Sequence, residues 1–158
     1  MKLLLFCLFG FALLTSSCKK NEPLPTFYFQ CKVDGVLYEP NNCANCLGKD
    51  LIGDTTLILG GNRGFETLGI GIKDNTGVKV GQYILNEIVG RRGDYKFSTS
   101  PNDRYFTDSI RVGKLNIILL DKTSKIIEGN FQFEAFNVVQ NKVVRITEGK
   151  FRLNYLKY

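Results

Sequence analysis

Histidine is absent from the 158 residues, and so is tryptophan. No other side chain titrates unperturbed near neutral pH, so Ser-His-Asp and Cys-His nucleophiles and histidine-based zinc or di-iron centres are excluded. Any chemistry would fall to carboxylates, Lys, Tyr or Cys. Also missing is an apolar run able to cross a bilayer. The longest, Leu3 to Leu14, has about 12 residues where a spanning helix needs about 20. No segment repeats apolar residues at i, i+3, i+4 and i+7, the signature of an amphipathic helix. Basic residues exceed acidic ones, for a formal charge of +6, but the two signs are interleaved. Lys/Arg pairs stand out only at Lys19-Lys20 and Arg91-Arg92, too sparse for a nucleic-acid surface.

What is present begins with an address. Lys2, the apolar run and the small residues Thr15, Ser16 and Ser17 have the layout of a secretory signal peptide over residues 1–17. They run directly into Cys18, and this junction resembles the bacterial lipoprotein signal, in which the cysteine becomes the acylated amino terminus. One acyl chain binds a membrane marginally, whereas a second makes the anchor stable. The resemblance implies a lipid on Cys18 and a protein held at a membrane, with a polar tether over residues 18–26. Lys19 stands where inner-membrane retention would want aspartate, which favours the outer membrane, and Glu22 alone is a poor surface-export signal.

Residues 27–158 have the length of one domain and can bury about two thirds of their surface. Alternation by two recurs along them. Phe27, Phe29, Cys31 and Val33 share one face, and Asp34-Gly35 has the composition of a tight hairpin turn. The return strand then sets Val36 opposite Val33 and Tyr38 opposite Cys31. Further strands are expected over 55–61, 66–73, 81–85, 94–99 and 105–112. The last 46 residues read as a three-strand antiparallel meander, with turns at 121–125 and 139–142. In its final strand Val144 and Ile146 have one parity, but Phe151, Leu153 and Tyr155 have the other. A slip of one residue would turn an apolar set to water, so a bulge is expected at Glu148-Gly149. The fold class is all-β, a sandwich or partly closed barrel of about eight or nine strands.

Three fragments, CKVDGVLYEP near the start, GQYIL in the middle and GKLNIILLD with IIEGNFQFEAFN and VVRITEGKF at the end, carry a family likeness. They resemble a family of Bacteroidota lipoproteins classed as a domain of unknown function. The likeness covers nearly all of the chain after the signal and implies an all-β fold in the cell envelope. It carries over no catalytic residue. Tyr38 departs from the commonest form, which has Trp there, as do the extra cysteines.

With Cys7 in the signal and Cys18 acylated, Cys31, Cys43 and Cys46 remain as candidate disulfide or redox residues in an oxidising compartment. CANC has the spacing of a redox dithiol but sits in a polar loop rather than a βαβ unit. Bridging Cys43 to Cys46 closes a very short loop worth about 2 kcal/mol, and bridging Cys31 to Cys46 a loop worth about 3 kcal/mol. Cys31 nevertheless lies on the expected core face, where an unpaired thiol packs well, so both pairings stay open. Three thiolates with Asp50 form a conceivable zinc set.

Other fragments read as structure. The glycine-rich Gly60 to Gly64 is a hairpin turn, because no helix follows to aim donors at a phosphate. Arg92-Gly93-Asp94 spells an adhesion tripeptide by chance. Asn102, Asp103 and Asp108 lack calcium-loop spacing. Tyr95, Tyr105 and Phe106 could stack on sugars, although aromatics in strands usually face the core. The leading expectation is a non-enzymatic envelope lipoprotein, held at the membrane through Cys18, structural or binding a protein or glycan partner, without cofactor or nucleic acid. The alternative is thiol-redox or metal-binding activity at Cys43 and Cys46. A carboxylate-based glycan hydrolase comes last, since spacing identifies no acid pair.

Overall fold

The computed structural model describes residues 27–41, 43, 45–87 and 90–158. The expected signal segment, Cys18 with its expected acylation and the whole of the expected tether lie outside the described residues. Twelve strands follow one another: β1 (Tyr28–Val33), β2 (Val36–Tyr38), β3 (Leu47–Ile52), β4 (Thr56–Arg63), β5 (Glu66–Lys73), β6 (Gly81–Leu85), β7 (Arg92–Lys96), β8 (Arg104–Phe106), β9 (Gly113–Asp121), β10 (Ile126–Asn137), β11 (Lys142–Asn154) and β12 (Leu156–Lys157). Among the described residues the sole helical turn is a 3-10 turn over Pro101–Asp103. The all-β class therefore holds, with more strands than the eight or nine expected.

All twelve belong to one sheet, ordered β12-β3-β4-β5-β7-β8-β10-β11-β1-β2 and not closed into a barrel. Pairing is antiparallel throughout except where β12 runs parallel to β3. The sheet forks at β10. The first half of that strand pairs with β9, which carries β6 on its far side, and its last residues pair with β8 through Phe136 and Phe106.

Side chains of one parity fill the space that the curled sheet encloses. On β10 Ile127, Phe131, Phe133 and Ala135 are buried, and on β11 Val144 and Ile146, then Phe151 and Leu153. Phe131 stacks against Phe29 with ring centroids 5.2 Å apart. The change of parity is made by the expected bulge, where Phe131 pairs with Gly149 but Phe133 with Ile146, so two residues of β11 face one of β10. The division of labour within the bulge differs from expectation. Glu148, not Gly149, takes the left-handed backbone, at φ 52°. Gly149 is required because a Cβ there would lie 2.5 Å from the Phe131 ring. At the first hairpin Asp34 and Gly35 have φ of 47° and 84°, and Val33 pairs with Val36 and Cys31 with Tyr38 as the turn chemistry dictates.

Three expectations need correction. The stretch PNNCANCLGKD, read as loop, contributes most of β3, which lies between the short β12 and β4 and turns only Leu51 fully inward. The strand expected over 105–112 stops at Phe106, because the Asp108 carboxylate accepts from the backbone N–H groups of Ile110 and Arg111 and folds the chain into a turn. The final strand ends at Asn154, and β12 crosses to pair Leu156 with Asp50.

The two ends of the open sheet meet along a polar seam. Tyr38 Oη donates to the Gly61 carbonyl at 2.5 Å, and the Asn41 N–H reaches the Asn62 carbonyl at 2.9 Å. Arg63 stacks over Tyr38 with its guanidinium 4.8 Å from the ring centre. The same side chain donates to the Leu37 carbonyl and twice to Glu66. Tyr95 Oη completes the cluster with a 2.6 Å bond to the other oxygen of Glu66.

Candidate functional site

The cysteines separate into a bridge and a buried thiol. Cys43 and Cys46 are disulfide-bonded with Cα atoms 5.2 Å apart, in a turn where the Cys46 N–H donates to the Cys43 carbonyl. Cys31 is free and 2% exposed. The pairing of Cys31 with Cys46 is thus overturned: β1 turns Cys31 into the core beside Phe29 and Val33, away from the loop. Burial pushes the Cys31 thiol up to about 12, with Glu66 adding to the shift and Arg63 opposing it, so it is neither nucleophile nor ready metal ligand. The zinc set with Asp50 does not assemble, since two of its three sulfurs are spent on each other. Among the described residues no three His, Cys, Asp or Glu side chains group as a metal cluster.

The other singled-out fragments resolve as local structure. Gly60 and Gly61 lie in β4, and the turn follows them at Gly64, φ 64°. Arg92-Gly93-Asp94 lies within β7 rather than at a loop tip, its glycine pressed against the Phe133 ring. Asp103 accepts from Ser98 and Gln140, and Asp108 from its own loop, so the two carboxylates serve separate turns.

On the outer face a single register row crosses six strands. Gly48 pairs with Gly60, Gly60 with Gly69, Gly69 with Asp94, Asp94 with Phe106 and Phe106 with Phe136. The Asp94 carboxylate occupies the space that a side chain on Gly69 would fill, 2.5 Å from the position of such a Cβ. Desolvation there raises the Asp94 carboxyl above its ordinary value, against the pull of Arg92 and Arg104. Both guanidiniums sit over the Phe106 ring, at 4.5 and 5.0 Å from its centre, and Arg111 lies 3.9 Å from the centre of Phe136.

These two rings floor a cleft of about 610 Å³ walled by Pro101, Arg104, Arg111 and Val138. Two exposed valines line it, Val138 at 80% and Val139 at 66% exposure. The nearby acids are paired, Glu87 with Arg92, Asp94 with Arg104 and Asp108 with Arg111. Arg104 meets Asp94 only at 3.8 Å and lines the cleft. Aromatic floor, guanidinium walls and aliphatic rim are the composition of a contact surface.

Of the three aromatics put forward as sugar platforms, the structure separates one from two. Tyr95 and Tyr105 turn into the core, and Phe106 alone faces out. Phe136 was missed, although it carried a signal. It falls on the solvent parity of β10, opposite in phase to the Ile127–Ala135 set, where a large aromatic is unexpected.

No curated protein and no solved structure matches the chain. A family model described as a domain of unknown function (DUF6252) matches residues 25–153. The match runs from just before β1 to the last residues of β11, taking in the seam, the forked strand and the whole cleft, and the chain belongs to that family, Domain of unknown function (DUF6252).

Proposed function

We propose that this chain is a non-enzymatic lipoprotein of the bacterial cell envelope, of the Bacteroidota type, anchored through Cys18 in the outer membrane, that captures a protein or glycan partner in the Phe106–Phe136 cleft. The observation that carries the reading is that cleft. Two outward aromatic rings are held flat under three arginines and ringed by aliphatic side chains that solvation alone does not call for. Family membership is compatible with the lipoprotein reading, and the absence of histidine removes the commonest hydrolytic machinery.

The test has two arms. Incorporation of an alkyne-tagged fatty acid into the full chain, abolished by Cys18→Ser, checks the anchor. Detergent-solubilised full chain screened on a glycan array and against outer-membrane proteins checks the cleft. Phe106→Ala and Arg104→Ala should each lose the captured partner while keeping the urea midpoint of the parent within about 1 kcal/mol. Capture indifferent to both substitutions, or release of a cleaved glycan, would overturn the reading.

A second reading rests on the Cys43–Cys46 bridge, whose Cys43 end is exposed. A thiol exchanger would use it in turnover. Resistance of that bridge to a dithiol reductant of thioredoxin strength would remove this alternative.

A further inference from the structure

We infer that the strand ends gathered around Phe27 form a docking surface for an anionic bilayer, which stands the molecule end-on with its cleft pointing away from the lipid. The inference rests on the Cys18 anchor proposed above. Eight residues, 19–26, separate that cysteine from Phe27, and even fully extended they reach less than about 30 Å. The start of β1 is thereby confined near the membrane.

What lies around it is set by the pairing. Tyr28 is opposite Arg152, Ile126 opposite Asn154, and the turn Asp121 to Lys125 joins β9 to β10 at this same end. The Gly53 N–H donates to the Tyr158 carbonyl, which brings the β3–β4 turn and the end of β12 alongside.

Two kinds of side chain are displayed there. Phe27 and Tyr158 are 42% and 71% exposed, apolar bodies of the sort that settle at a headgroup boundary. Lys122, Lys125 and Lys157 accompany them. Lys122 and Lys157 share one carboxylate, Asp54, at 3.8 and 3.0 Å. Of the other acids at this end, Asp74, beside the β3–β4 turn, is paired with Arg91, and Asp121 is turned to the backbone N–H groups of Thr123 and Ser124. Positive charge is left in excess, which an anionic leaflet attracts.

The far end is out of reach in this pose. β10 has 12 residues, about 40 Å of strand, between the Lys122 turn and the loop bearing Val138 and Val139. Val138 and Val139, the exposed aliphatic side chains of the cleft, are therefore presented outward, where a partner would arrive.

The experiment uses the acylated full chain in vesicles of phosphatidylcholine, with or without phosphatidylglycerol, containing headgroup-nitroxide lipid. A fluorophore is placed by Thr123→Cys on one sample and by Val139→Cys on another; both positions are exposed. The expected result is strong quenching at 123 and little at 139, with the 123 signal greatest in phosphatidylglycerol. That excess should disappear at high salt and in Lys122→Glu/Lys125→Glu. Equal quenching at both positions, or deeper quenching at 139, overturns the inference and leaves this end to a protein partner. The mass of the amino-terminal peptide is read on the same samples. An unacylated chain overturns the anchor and this orientation together, whereas an acylated chain with equal quenching overturns the orientation alone.

Discussion

The Cys31 thiol permits a quantitative test of how tightly the interior is sealed. Its burial, reinforced by Glu66 and opposed by Arg63, pushes it from 9.0 to about 12. In the unfolded chain it ionises at the ordinary value. Below about pH 9 both states keep the proton and the group adds no pH dependence. Above that, the unfolded state releases the proton and the folded state does not, so the folded state binds more protons and stability falls as pH rises. Each unit of pH in the window between 9.0 and about 12 removes about 1.4 kcal/mol. From about pH 9 to pH 11 the loss assignable to this thiol is thus about 2–3 kcal/mol. The assay is urea unfolding across that range for the parent and Cys31→Ala. Removing the sulfur leaves a small cavity that costs about 1 kcal/mol at pH 8. The variant starts less stable, draws level as pH rises and ends more stable. Tyr95, whose hydroxyl burial also raises, is present in both proteins and cancels in the difference; Tyr38 cancels except for the part of its upward shift that comes from Cys31 itself. Parallel pH curves, or a thiol that reacts with an aromatic disulfide reagent at pH 8 as fast as a free peptide, would refute the reasoning.

Four further outcomes follow from particular contacts. Cys43→Ser/Cys46→Ser opens a loop of four residues and should cost about 2 kcal/mol in urea, not the 3 or more of a long bridge, with the all-β circular dichroism kept. Gly149→Ala forces a methyl against the Phe131 ring and should cost about 1–3 kcal/mol. Glu148→Gly relieves a left-handed backbone and should gain up to about 1 kcal/mol, little offset by loss of its exposed pair with Lys32; the reverse ranking would refute the account of the bulge. Tyr38→Phe strands the Gly61 carbonyl at the seam and should lower stability by about 1–3 kcal/mol, measured by the same urea unfolding, whereas a neutral result would mean that the seam bond is dispensable.

Local chemistry decided what could be read from the chain alone. Asp34-Gly35 specifies its turn within two residues, and the register of the whole hairpin follows. The bulge was legible because a change of parity between Ile146 and Phe151, both turned inward, requires one extra residue in the strand. β10 was legible because Ile127, Phe131, Phe133 and Ala135 keep phase around Gly129. By contrast β3 shows no alternation of burial: Leu47 to Asp50 are all half-buried, only Leu51 is fully inward, its outer neighbour is the two-residue β12, and its register comes from β4. The bond from Tyr38 to Gly61 joins residues 23 apart through the curl of the sheet, which no local pattern encodes. Loop entropy favoured the longer disulfide, but the inward direction of Cys31 prevailed, because a side chain committed to the core cannot also reach a surface loop. The cleft was half legible. The ring of Phe106 stands out in the sequence, but its partner Phe136 and the arginines above both come together only when β8 docks beside β10.

The fork at β10 has a mechanical consequence. One edge of that strand is the root of two separate wings, β9 with β6 along its first half and β8 with everything through β12 along its last residues. Neither wing can detach without unzipping part of the same backbone, so a pull or thermal fluctuation on one is transmitted to the root of the other. β10 should be the last strand to exchange its amide protons, and the cleft and the end around Phe27 should lose their order in one event rather than by turns.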